Sequence, residues 1–101
     1  MTLRIHRSIE SKLVVFTLTG RIRSEQVPEL VALLKSESSP HRIILDLEQV
    51  RLVDRDAVLF LAQCETLGAR LRNYSAYIRE WINQERKAHQ NGAEDPLESK
   101  G

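Results

Sequence analysis

"LVDRDAVLFL", residues 52 to 61, is the stretch on which the reading of this chain turns. An apolar pair, Leu52 and Val53, runs into Asp54, Arg55 and Asp56, and an apolar run follows at once. Val58, Leu61, Ala62 and Glu65 fall along one side of a helix, and Leu59, Phe60 and Leu67 widen its apolar surface. Asp54 or Asp56 can cap that helix by accepting a free N–H of its first turn. Gly68 stops it after about Leu67, because glycine takes the left-handed conformation that closes a helix. Such a junction can cap a helix, bind an ion, carry a regulated hydroxyl or only turn the chain.

Working outward toward the C-terminus, "ARLRN" reads as a strand with Arg70 and Arg72 on one face. Ser75 caps a last helix in which Tyr77, Ile78, Trp81 and Ile82 recur at helical spacing. From about Asn83 the sequence turns polar, which predicts a helix that frays between Glu85 and Ala93. The division is a domain over residues 1–84 and a polar tail over 85–101, disordered beyond the last helix.

Toward the N-terminus, "RIILDL", Arg42 to Leu47, is a nearly continuous apolar strand, as expected of one covered on both faces. "SEQVPELVALLKSE" predicts a helix with Ser24 or Gln26 as cap and Pro28 in the first turn, where a missing N–H matters least. Its stripe is Val27, Leu30, Val31 and Leu34. "LVVFTLT", Leu13 to Thr19, is a central strand that Gly20 ends, and "TLRIHRS" is a half-exposed strand paired with it across the turn "ESK". The order β-β-α-β-α-β-α implies right-handed crossovers: one α/β domain with a mixed, mostly parallel sheet backed by helices.

The whole chain fits this. Its 101 residues suit one small domain, and 42% hydrophobic residues allow a modest core. A net charge of +1 gives too weak a field to argue for a nucleic-acid binder. Cys64 is the single cysteine, so no internal disulfide can form and a reducing compartment is expected. No leader-like or membrane-spanning apolar run is present, which points to the cytoplasm.

The order and its residues together resemble the STAS domain, the family of the bacterial anti-sigma-factor antagonists and of the cytoplasmic domains of sulfate transporters. The residues that carry the resemblance are "LTG" at Leu18 to Gly20, "IILDL" at Ile43 to Leu47, "VD" at Val53 and Asp54, and Gly68 ahead of "ARLRN". In the antagonists, the junction aspartate is followed by Ser-Ser-Gly or a close variant, and the first hydroxyl is phosphorylated by a partner kinase. Here Arg55 takes the place of that hydroxyl, Asp56 the second and Ala57 the glycine, so the resemblance implies a form that this switch does not control.

Other constellations are bland. Asp46, Glu48, Asp54 and Asp56 gather acids near one sheet edge, without the acidic pair and late lysine of a phosphoacceptor domain, and no metal is expected. Cys64 reads as a buried small hydrophobe. His6, His41 and His89 have no ligand spacing, the four glycines form no phosphate loop, and no catalytic set or cofactor motif is found. Tyr74, Tyr77 and Trp81 read first as core packing of the last helix and second as an interface anchor.

The expectation is a protein-binding module with no chemistry of its own, with Asp54, Arg55, Asp56 and Gln63 as the partner-binding residues. The partner implied is an anti-sigma factor or kinase-like protein in bacterial signalling and transcription regulation. The resemblance also allows a small subunit gripping the ATPase of a lipid-transporting ABC complex, or a ligand sensor. With "ARLRN" as a free sheet edge guarded by arginines, a monomer or a helix-mediated homodimer is expected.

Overall fold

The computed structural model describes residues 3–37 and 39–93, with side chains through residue 88. Strands β1 (Leu3–Glu10) and β2 (Leu13–Ile22) are followed by helix α1 (Val27–Lys35), strand β3 (Ile43–Val53), helix α2 (Arg55–Leu67), strand β4 (Arg70–Arg72) and helix α3 (Ala76–Ala93). The sheet order is β1-β2-β3-β4, antiparallel between the first two and parallel thereafter. This is the α/β architecture expected, with β4 at a sheet edge.

The β1–β2 hairpin closes through Ser11 and Lys12, whose φ angles of 51° and 71° match the twist that tight hairpins favour. Three elements differ from their sequence expectation. β2 does not end at Gly20; it continues to Ile22, with an irregularity between Gly20 and Arg21 that glycine's φ of 110° accommodates. β3 does not stop at Leu47, because its second half pairs with Thr19–Ile22 of β2. The bulges shift side chains out of strict alternation, so "EQVRLV" carries no period-two signal. The stretch before α1 is a 3₁₀ turn, Ser24–Gln26, and neither proposed residue caps α1 through its side chain. Gln26 Oε1 instead accepts the Arg23 N–H at 2.9 Å.

The core lies on one face of the sheet. Phe16, Leu18 and Ile22 of β2 and Leu45 and Leu47 of β3 meet Leu30 of α1, Val58 and Leu61 of α2 and Ile78 and Ile82 of α3. Fully burying one such side chain contributes roughly 1.5–3 kcal/mol, so this cluster is the main favourable term of the fold. On the opposite face Arg72 ties three strands together: its guanidinium bonds Asp46 of β3 at 3.1 Å and Glu10 of β1 at 3.3 Å. Arg72 is therefore a cross-sheet tie, and of the two expected edge guards Arg70 alone stands exposed and without an ion pair among the described residues.

α3 packs against α2 and runs antiparallel to it, with Arg79 beside Glu65 near the end of α2 and Glu85 beside Arg55 at its start. The helix continues through Ala93, past the point where fraying was expected to begin. The remainder of the expected tail, residues 94–101, lies outside the described residues.

Candidate functional site

The head of α2 is built around Asp54. Its extended backbone (φ −105°, ψ −177°) leaves the carboxylate free to turn back over the first helical turn. Oδ1 accepts the Ala57 N–H at 2.9 Å, and this is the cap. Oδ2 accepts the Ser24 N–H at 2.8 Å, across 30 positions of sequence. The Asp54 N–H donates to the Ile22 carbonyl at 3.2 Å. One residue thus fastens the end of β2 and the turn before α1 to the start of α2. Sequence reasoning found the cap and missed the second bond, because nothing local marks Ser24 as the partner.

Arg55 and Asp56 flank this clamp on the solvent side. The Arg55 side chain is 68% exposed, and its Nε lies 3.3 Å from both carboxylate oxygens of Glu85 on α3. Glu85 also accepts the Trp81 indole N–H at 3.1 Å. Asp56 is exposed in the first turn, where its charge suits the positive end of the helix dipole. Gln63 is exposed two turns further along the same helix, close to Asp56 in angle but about 10 Å away along the axis. The structure thus brings Asp54, Arg55 and Asp56 together and leaves Gln63 on the flank.

Two features beside this head were not legible in the sequence. Between α2 and α3 is a cleft of about 160 Å³ lined by Leu59, Ala62, Gln63, Thr66, Glu85 and Arg86. Below it Glu65 is bracketed by Arg79 at 2.7 Å and Arg86 at 3.0 Å. Arg72, Arg79 and Arg86 are thus each held in ion pairs, with Asp46 and Glu10 for the first and Glu65 for the other two. The aromatic group divides: Trp81 is half-buried and packs on the core, whereas Tyr77 is 58% exposed and stands 5.7 Å from it, centroid to centroid. Tyr74 lies under the Arg79 guanidinium at 4.5 Å, a cation–π contact.

Of the four acids grouped in the sequence, Asp46 and Asp54 are each engaged by their own hydrogen-bond partners. Burial pushes the Asp46 carboxyl up, but hydrogen bonds from the Glu48 N–H, Arg72 and Asn73 outweigh it and leave its pKa below the ordinary 3.8. Asn73 reaches this carboxylate from a left-handed backbone, φ 59°. Among the described residues no group of three or more potential metal ligands forms.

No protein-family model matches the chain, and neither does any curated protein. Solved structures do. An antisigma-factor antagonist STAS domain from Rhodobacter sphaeroides superposes with a TM-score of 0.55 at 10% identity, covering 71% of this chain and 87% of that one. A DUF3478-family protein with a SpoIIAA-like fold from Shewanella loihica PV-4 gives 0.51 at 13% identity, covering 87% and 79%. At such identities the likeness is one of fold: this chain folds as a STAS-like, SpoIIAA-like domain.

Proposed function

We propose that the domain works by binding another protein through the head of α2, as an antagonist-type or scaffold module in a cytoplasmic partner-switching system, without the usual phosphorylatable hydroxyl. The observation that carries this reading is the Asp54 clamp, which fixes the helix start from two sides while Arg55 and Asp56 face solvent. A charge pattern held on a rigid helix end costs little further ordering when a partner docks. The fold shared with an antisigma-factor antagonist supports the same reading. With arginine at position 55 and no Ser or Thr between Val53 and Cys64, the surface presents constant charge.

The test is a double substitution, Arg55→Glu with Asp56→Lys. It reverses the local charge order and also sets a second carboxylate against Glu85. Loss of one exposed ion pair costs up to about 1 kcal/mol, so the fold should survive. Partners captured from the native cell by the parent chain are identified by mass spectrometry, and their affinity for both proteins is measured by calorimetry. Affinity should fall at least tenfold, about 1.4 kcal/mol. Equal affinity in a folded variant would refute the assignment. Capture of a transporter ATPase in place of an anti-sigma partner would keep the surface and change the system it serves.

A further inference from the structure

On the other flank of α2, away from α3, α1 and α2 splay apart. The short α1 buries only Leu30 of its apolar stripe fully; Val31 and Leu34 remain partly open. Across from them stand Phe60, Cys64 and Leu67 of α2, and Leu67 is 54% exposed. The wedge between the helices is a groove of about 370 Å³, at the lower end of the range of small-molecule sites.

Among the described residues the groove has one free charge. Two ionic side chains line it, Lys35 and Glu37. Glu37 is engaged from outside by Arg7, whose Nε and Nη2 donate to its carboxylate at 3.1 and 3.4 Å. Lys35, the last residue of α1, is exposed and has no hydrogen bond or ion pair among the described residues. The floor is neutral, since burial first and the neighbouring Glu65 second push the Cys64 thiol up to about 12. An apolar trough with a lone ammonium at its rim complements a molecule with an apolar body and one anionic end.

We infer that this groove binds a single-chain carboxylic amphiphile, a free fatty acid, with its chain between α1 and α2 and its carboxylate at Lys35. The concavity favours such a chain over a flat protein face. Burial of the exposed parts of Leu34 and Leu67 supplies the driving force, and Lys35 sets the polarity of insertion. The groove includes none of Asp54, Arg55 and Asp56 at the head of α2; of the expected partner-binding residues Gln63 alone lines it.

The experiment titrates the full chain with decanoate below its micelle concentration and follows binding by calorimetry, with decanol as the neutral control. One decanoate should bind per chain. Lys35→Gln should weaken decanoate roughly fivefold, the scale of one exposed ion pair, and leave decanol unchanged. Leu67→Glu, at an exposed position that folding tolerates, should weaken both ligands roughly tenfold or more. No saturable decanoate binding, or binding indifferent to both substitutions, overturns the inference. So does sedimentation that shows a concentration-dependent dimer abolished by Leu67→Glu and unaffected by decanoate, because the groove is then covered by a second copy.

Discussion

Replacing Asp54 with alanine should destabilise this domain more than the loss of an ordinary helix cap. The cap bond to Ala57 alone is worth about 1 kcal/mol. The bond to the Ser24 N–H is also charge-assisted, but it is exposed, so about 1 kcal/mol is the proper scale there too. Removing a negative charge from the helix N-terminus adds a few tenths more, about 0.3–1 kcal/mol. The total is about 2–3 kcal/mol, which for a domain of this size lowers the Tm by roughly 10–20 °C. The two bonds can be separated, because proline at position 24 removes the N–H that Oδ2 receives. Arg23 already has the extended backbone, φ −122° and ψ 173°, that a residue before proline requires. Position 24 opens a 3₁₀ turn, where the fixed φ of proline fits. Urea unfolding followed by circular dichroism then gives a cycle of four proteins. Ser24→Pro should cost about 1 kcal/mol in the parent chain and nothing, or a small gain, in the Asp54→Ala background. Equal cost in both backgrounds, or a total below about 1 kcal/mol for Asp54→Ala, would show that the cross-connection carries no energy.

Acid should expose the role of Asp46. Its folded pKa lies below 3.8, so its ionised form stabilises the fold above that pH, and this contribution is lost as the pH falls through the folded value. The stability gap between the parent chain and Asp46→Asn, from urea midpoints, should therefore shrink below about pH 4; a gap constant with pH contradicts the arrangement. Gly68→Ala should cost about 1–3 kcal/mol, because φ is +115° and a Cβ there would come within 2.8 Å of the His41 ring. Adding His41→Ala should recover the steric part only, and full recovery in thermal melts would show that the backbone is unstrained.

The alternation of apolar runs and breakers already contained the architecture. Each strand and helix exists because a local signal is strong: the β-branched run at Leu13–Thr19, the apolar spacing after Asp56, the left-handed stop at Gly68, whose N–H bonds Glu65 while that of Ala69 reaches Cys64. The cap at Asp54 and the burial of Cys64 were legible for the same reason, since both follow from neighbours within a helical turn. What local sequence could not carry was any property set by residues far apart along the chain. The length of β3 depends on pairing with the end of β2, and the bulges that permit it erase the alternation that would have announced it. Asp54 became a clamp because the turn at Ser24 folds against it. Arg72 became a cross-sheet tie because Asp46 and Glu10 stand on strands brought beside it, the latter 62 positions away. The groove between α1 and α2 depends on the angle between two helices, which core packing decides and no single segment encodes. Local propensity chose the elements; long-range contacts chose which charges are spent on holding the fold and which, like Asp56 and Lys35, stay exposed and without an ion pair among the described residues.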